Sequence, residues 1–357
     1  MSEDRFAFIS HPKSSLHRMP FPKPHIEAFE NPLRTQITER YLDKEGVLET
    51  AIRIKAPRAK LNDIRLVHSA YLVETVEMMS EIGNGQLGES SYASPDLLRT
   101  ALLSVGGALK GAEMVVSGEV KHAFSLMRPP GHHATSSNPM GLCYFNNVAI
   151  ATRKIMEHDD VSKVSIIDFD DHHGNGTSEI FYEDRNVQMI SVHEYDYENF
   201  GLGNFQELGF SDAKGTNINI PLLETSPNVS YETAIDRVIE PALKRFKPDV
   251  IMVSAGYDAH YADPVGNMDA DSEIFWRFGE FIREMVDATK AMGSVWVLEG
   301  GYNPFALSYS VRASLEGLLG NTLPELDDQI EREVYQQIID ANDEIVDKVL
   351  DTLEPHW

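Results

Sequence analysis

Five short apolar runs of β character recur along this chain, at 122–127, 163–168, 187–192, 249–254 and 294–298. Helix-like stretches lie between and after them, at 147–158, 231–246, 272–292 and 304–319. Two more precede the series, at 32–46 and at 95–117, where Leu98, Leu102, Val105 and Leu109 keep near-helical spacing. Strands alternating with helices in this way pair in parallel and are covered on both faces. The expected fold is therefore α/β, with a central, mostly parallel sheet flanked by helices. No internal repeat or low-complexity linker interrupts the chain, so its 357 residues favour one compact domain over two or three. A hydrophobic content of 42% is ample for such a core.

Four of the runs end in polar clusters. Arg128-Pro129-Pro130-Gly131-His132-His133 follows the first run, and Asp168-Phe169-Asp170-Asp171-His172-His173-Gly174-Asn175 closes the second. Gly256-Tyr257-Asp258-Ala259-His260 and Glu299-Gly300-Gly301-Tyr302 follow the last two. In open parallel sheets, ligands bind beyond the carboxyl ends of the strands, so four such clusters can converge. If the strand continues, alternation puts Asp168, Asp170 and His172 on one side.

Asp170, His172 and Asp258 supply oxygen and nitrogen donors of the kind a catalytic Zn²⁺ takes, and leave positions open for water and substrate. Alone, Asp258 reads equally well as a turn residue; the other clusters make it a ligand. His132 and His133, read alone, are surface histidines of a Pro-Gly turn. Asp168 and Asn175 change that reading, because each can orient one imidazole. A carboxylate partner raises histidine basicity more than an amide does, which suits division into acid and base roles. Tyr302, in a Gly-Gly turn, is placed to donate a hydrogen bond to a developing oxyanion. Asp171 and His173 receive no role.

The formal charge of −25 argues against binding nucleic-acid backbone and favours cationic substrates, although solubility alone also explains it. The single cysteine, Cys143, fits a reducing compartment. Residues 1–10 are too short and polar for a signal peptide, and no apolar run reaches membrane-span length. A soluble cytoplasmic protein is expected. Residues 11–25 read as an irregular surface segment. From Leu323 onward, eleven acidic residues oppose two basic ones, yet Ile330, Val334, Ala341, Ile345, Val349 and Leu353 form a helical stripe. The expected division is a catalytic domain at 1–320 and an acidic helical extension at 321–357, packed on the domain or on a partner subunit.

These residues together resemble the zinc-dependent histone deacetylase superfamily, particularly its class II-like and prokaryotic members, which include acetylpolyamine amidohydrolases. RPPGHHA (128–134), GLCYFNNVAIA (141–151), IDFDDHHGNGT (167–177), SAGYDAHYADPVG (254–266) and LEGGYN (298–303) carry the match. VHSAYL (67–72) and ENPLR (30–34) support it more weakly. The resemblance implies the arginase/deacetylase fold, with about eight strands. It implies one zinc per chain, with Fe²⁺ the alternative, on Asp170, His172 and Asp258. His132, His133, Asp168, Asn175 and Tyr302 would be the catalytic set. A structural K⁺ is implied at Asp168, Asp170, His172, Ser191 and Val192. Arg34 matches an arginine behind the site. The substrate tunnel is implied at Gly141, Leu142, Phe200, Val265 and Gly301. Leu142 stands where an aromatic residue is usual, which suggests a wider tunnel. The implied reaction is hydrolysis of an N-acyl, chiefly N-acetyl, amide on a cationic amine, either a small molecule or an acetyl-lysine protein. The competing readings are a manganese ureohydrolase on the same fold and a binder of acylated ligands without catalysis. An oligomer is compatible with the sequence.

Overall fold

The computed structural model describes residues 6–19, 29–198 and 201–357. Its strands, in chain order, are β1 (Phe6–Ser10), β2 (Ile52–Lys55), β3 (Gly85–Gly88), β4 (Ser91–Ala93) and β5 (His122–Ser125), then β6 (Val164–Asp168), β7 (Val187–Glu194), β8 (Asn217–Leu222), β9 (Val250–Ala255) and β10 (Ser294–Leu298). Helices α1 (Leu33–Lys44), α2 (Leu61–Ile64), α3 (Ala70–Ile82), α4 (Leu97–Val116) and α5 (Asn147–Ile155) belong to the first half. The second half contributes α6 (Asn175–Phe181), α7 (Asn228–Ala234), α8 (Glu240–Phe246), α9 (Ser272–Thr289), α10 (Pro304–Leu318) and α11 (Gln336–Leu353).

Eight strands form one sheet in the order β2-β1-β5-β10-β9-β6-β7-β8, and every neighbouring pair is parallel. The short strands β3 and β4 make a separate antiparallel hairpin. The central strands are buried along their whole length, as in Val-Ser-Ile-Ile-Asp of β6 and Ser-Val-Trp-Val-Leu of β10. Such continuous apolar runs are what a sheet covered on both faces requires. Alternation sorts them: Ile167, Ile190, Val253 and Trp296 join Phe275, Phe278 and Ile282 of α9 on one face. Ile166, Met189, Met252 and Val295 join Ala108 and Ala112 of α4 and Val148 of α5 on the other.

Three strands of the sheet lie outside the five apolar runs read from the sequence. In β2, Ile-Arg-Ile-Lys alternates between partly buried and exposed positions, as a charged edge strand does. The opposite edge, β8, mixes Asn and Pro into its sequence, and Pro is tolerated at an edge. β1, Phe-Ala-Phe-Ile-Ser, is apolar and buried, which corrects the reading of residues 1–10 as a polar segment. The 231–246 helix begins earlier, at Asn228, and is interrupted by a π-turn over Ile235–Ile239.

Two surface expectations need correction. Ser14 and His17, in the segment read as irregular surface, are 3% and 2% exposed, because they close over Arg128. The acidic tail becomes helical only at Gln336, so Ile330 and Val334 lie outside the helix and are half exposed. Within α11, Ile345, Val346, Val349 and Leu353 pack into the principal core against β8 and α7. Asn342 fastens the helix by accepting the Leu223 N–H at 3.0 Å and donating to Ser226 Oγ at 2.7 Å. No helix among the described residues is long and apolar enough to cross a membrane.

Candidate active site

The polar clusters follow β5, β6, β9 and β10, which are the four central strands, side by side in the order β5-β10-β9-β6. Their carboxyl ends therefore deliver the clusters to one place. The extended strand of β6 stops at Asp168, so Asp170 and His172 are not strand residues. Their own side chains curl the backbone: Asp168 Oδ1 accepts the Asp170 N–H at 3.1 Å, and Asp170 Oδ1 accepts the His172 N–H at 3.0 Å. Aspartate side chains that bond two residues ahead make a turn of this kind.

Asp170, His172 and Asp258 converge, with one ligand atom from each within 4.8 Å of the others. His172 Nδ1 lies 3.2 Å from Asp170 Oδ1 and 3.1 Å from Asp258 Oδ2. Ligands about 2.0–2.2 Å from a tetrahedral ion stand roughly 3.3–3.6 Å apart, so these separations are only slightly tighter than a zinc-sized cation requires. Asp170 and Asp258 are 1% and 0% exposed. Burying two such carboxylates so close together is costly without a cation between them. Bare backbone makes the close packing feasible. A Cβ on Gly256 would lie 2.0 Å from Asp170 Oδ2, and one on Gly300 would lie 2.2 Å from Asp258 Oδ2.

The tandem histidines stand over this triad, their ring centres 4.0 Å apart. His132 Nδ1–H donates to Asp168 Oδ2 at 3.0 Å, and its Nε2 lies 3.8 Å from Asp170 Oδ1. Burial pulls its basicity down, but the Asp170 and Asp168 carboxylates prevail and hold it up to about 10. His133 Nδ1–H donates to Asn175 Oδ1 at 2.7 Å. The Asn175 amide is oriented by donating from Nδ2 to Met140 Sδ at 3.3 Å. Surrounding protein, with the neighbouring charges of His132 and His172, pulls His133 down to about 3. The carboxylate partner thus favours the cationic form of His132, whereas the amide partner gives His133 no such support. An Nδ1 that donates leaves the neutral ring its Nε2 lone pair.

Tyr302 is 7% exposed, and the Arg34 guanidinium lies over its ring at 4.6 Å. Burial holds the phenol well above its usual range against the opposing pull of Arg34, and Asp258 and Asp170 reinforce the rise. It is a neutral donor.

Behind these residues lies a layer that local patterns did not disclose. Arg34 donates to the carbonyls of Gly301 at 2.6 Å and Glu299 at 2.5 Å. Glu30 binds Arg34 and Arg128 together. The Glu299 carboxylate accepts the N–H groups of Gly131 at 2.6 Å and His132 at 3.1 Å, which fixes the histidine loop. Asp263 accepts from the backbone of Tyr302 and Val265. Burial and the Asp258 charge push its carboxyl up to about 7, although the N–H groups around it favour the anion. Only the Glu-x-x-x-Arg spacing of residues 30 and 34 is a local signal for any of this.

Among the remaining candidates, Asp168, at the end of β6, is the register partner of Ser191 within β7, and Val192 is the next residue along β7. Ser191 Oγ pairs with His193 Nδ1 at 2.8 Å. Gly141 and Leu142 turn the backbone at φ of 55° and 67°, and a Cβ on Gly141 would meet the His133 ring at 2.3 Å. That loop is therefore a wall of the site. Gly301 has a φ of 105°, and Val265 is partly buried. Phe200 lies outside the described residues. Asp171 is fully buried and neither of its carboxylate oxygens has a hydrogen-bond partner. His173 packs on His193 at 4.7 Å, away from the triad's ligand atoms.

Residues 28–318 match the histone deacetylase domain. The chain is 33% identical over 291 residues to the histone deacetylase-like amidohydrolase of Pseudomonas aeruginosa, covering 82% of this chain and 77% of that protein. It is 38% identical over 313 residues to a probable deacetylase of Methanothermobacter thermautotrophicus, covering 87% and 90% respectively. The crystal structure of the HDA15 HD domain superimposes with a TM-score of 0.89 at 29% identity, over 100% of this chain and 96% of that one.

Proposed function

The chain belongs to the histone deacetylase family, and from that premise we propose that it is a zinc-dependent hydrolase of N-acetyl amides on cationic amines, of acetyl-lysine or acetylpolyamine type. The observation that carries this reading is the geometry of the histidine pair, one imidazole bonded to the Asp168 carboxylate and the other to the Asn175 amide, directly over three convergent metal donors. Asp170, His172 and Asp258 would hold the ion. When bound there, Zn²⁺ supplies Lewis acidity toward the acyl carbonyl and acidifies water, with Fe²⁺ the alternative. His133, neutral and with Nε2 free, takes the proton of the attacking water. His132, kept cationic by Asp168, stabilises the negative charge that develops. Tyr302 donates its hydroxyl proton as a hydrogen bond to the same oxygen. The protonated His133 then returns its proton to the leaving amine, and acetate and a free amine depart.

A structural K⁺ at Asp168, Asp170, His172, Ser191 and Val192 belongs to the same reading. Ser191 fits that role, because its hydroxyl can give its proton to His193 Nδ1 and keep its lone pairs for a cation. So does a division into a catalytic domain at 1–320 and an acidic extension at 321–357. A cytoplasmic location fits the one free, buried cysteine, Cys143. The net charge of −25 supports a cationic substrate of either type.

The test is a kinetic comparison of acetylputrescine, acetylspermidine and an acetyl-lysine peptide on zinc-loaded protein, beside Tyr302→Phe. At least one substrate should be turned over, and Tyr302→Phe should slow it by about 10²–10³. Unchanged turnover in that variant would sink the mechanism. Two manganese ions per chain with urea release would instead establish the ureohydrolase reading.

A further inference from the structure

Asp263 touches none of the reacting groups proposed above, yet it joins the tyrosine turn to a neighbouring loop. Its carboxylate is 8% exposed. Oδ2 accepts the backbone N–H of Tyr302 at 2.6 Å and that of Asn303 at 3.1 Å, while Oδ1 accepts the N–H of Val265 at 3.0 Å. Asn303 answers from the other side. Its Nδ2 donates to the Ala262 carbonyl at 2.9 Å, and its Oδ1 caps α10 through the N–H of Phe305 at 3.1 Å. Loop 262–265 and turn 300–303 are thereby stitched to each other twice.

The stitching matters because of what precedes the tyrosine. Gly300 and Gly301 carry no side chains, and Gly301 sits at a φ of 105°, so the turn has little stiffness of its own. Arg34 grips it by the carbonyls of Glu299 and Gly301. Asp263 grips it by the amides of Tyr302 and Asn303. These amides belong to the N-cap of α10 and the residue before it, next to the helix end whose dipole favours an anion. A carboxylate with three N–H partners is accordingly a strong and directional hold. Asp263 lies outside the group of convergent metal donors.

We propose that Asp263 is a positioning residue for Tyr302. Its carboxylate fixes the backbone from which the phenol reaches the developing oxyanion. Through the Val265 amide it ties that backbone to loop 262–265. The inference rests on the proposed role of Tyr302 and extends it to a residue that makes no contact with the reacting atoms. Misplacement of a catalytic group by about 1 Å costs on the order of 10²-fold in rate. Asp263→Ala should approach the rate of Tyr302→Phe, with the loss in kcat, KM changed by less than about threefold, and one metal per chain retained. Asp263→Asn keeps an acceptor for Tyr302 but turns an NH₂ toward Val265, so it should recover about tenfold of the loss.

The deciding experiment is a double-mutant cycle run with both variants. In a Tyr302→Phe background, Asp263→Ala or Asp263→Asn should slow turnover by less than about twofold, because no hydroxyl is left to misplace. Equal slowing in both backgrounds would overturn the proposal, as would loss of metal. A second readout does not depend on activity. Fluorotyrosine placed at position 302 should show a shifted or doubled ¹⁹F resonance in Asp263→Asn. A resonance identical to that of the parent would also overturn the assignment, even in folded protein. If Tyr302→Phe alone leaves turnover untouched, the mechanism fails, and the ¹⁹F result still decides whether Asp263 holds the tyrosine.

Discussion

Two buried ionic clusters lie back to back at the carboxyl edge of the sheet, and only one of them is closed. In the rear cluster, Glu30 meets Arg128 through both oxygens, Arg34 through one, and His17 Nε2 at 3.3 Å. The spare donors of the two guanidiniums reach the carbonyls of Ser14, His17, Glu299 and Gly301. Every charge there has a partner. In the front cluster Asp168, Asp170 and Asp258 are all 0–1% exposed, and among the described residues only the imidazoles of His132 and His172 stand against them as cations. Burial is equal; satisfaction is not. A closed cluster can only hold its surroundings in place, whereas one with surplus negative charge is built to receive a cation.

The sharpest way to break this contrast is to remove a donor from the open cluster. Asp258→Ala should abolish turnover and take metal content, read by mass spectrometry, from one ion per chain toward none. Metal should also cease to raise the melting temperature, losing about 4 kcal/mol of stabilisation expected at a thousandfold excess over Kd. Full metal binding by this variant would refute the cation reading. Next in size, His133→Ala should slow turnover by about 10²–10⁴ while the metal stays, separating proton transfer from metal holding within one cluster.

The closed cluster should respond in the opposite currency, stability. Glu30→Ala strands two buried guanidiniums and should cost about 3–5 kcal/mol in urea unfolding, with metal content unchanged. Loss of metal with intact stability would invert the comparison. Acid should expose the same residue more gently. Burial alone would raise the Glu30 carboxyl, but Arg128, His17 and Arg34 overcome it and hold it down to about 2, from an ordinary 4.5. A depressed carboxyl stabilises the fold above its unfolded value and loses that contribution as pH falls toward the folded one. The stability gap between the parent and Glu30→Gln should therefore narrow by about 3 kcal/mol between pH 4.5 and 2. A gap independent of pH would mean that Glu30 is not ionised in the fold.

How far the sequence discloses this design follows from the same contrast. The front cluster was legible, since donors and imidazoles fall in short runs directly after strands: His132-His133, Asp168 to Asn175, Asp258 and Tyr302. Central strands were legible for the same reason that they are central, being apolar on both faces. Edge strands β2 and β8 mix polar residues into their faces and were missed. In the rear cluster the resemblance placed only Arg34, behind the site; the pairing of Glu30 with Arg128 stayed invisible because they stand 98 residues apart, and no local pattern announces such a pair. Asp263 was hidden differently. Its partners are backbone amides, which leave no trace in residue identity. The alternation that put Asp170 and His172 on a straight strand failed because Asp168 and Asp170 bend the chain with their own carboxylates.

The strand order has a consequence for how the molecule comes into being. Strand β10, the last in the sequence, is inserted between β5 and β9 in the middle of the sheet. A chain emerging from the ribosome can assemble β2-β1-β5 and then β9-β6-β7-β8, but these remain two half-sheets with naked inner edges until residues 294–298 arrive. Such edges are templates for wrong pairing, and their non-local closure is slow. His132 hangs from one half and Asp258 from the other, so the pocket does not exist before that final strand slots in. The joined sheet and the pocket therefore form together, late in the chain, with α10 and α11 still to pack against them.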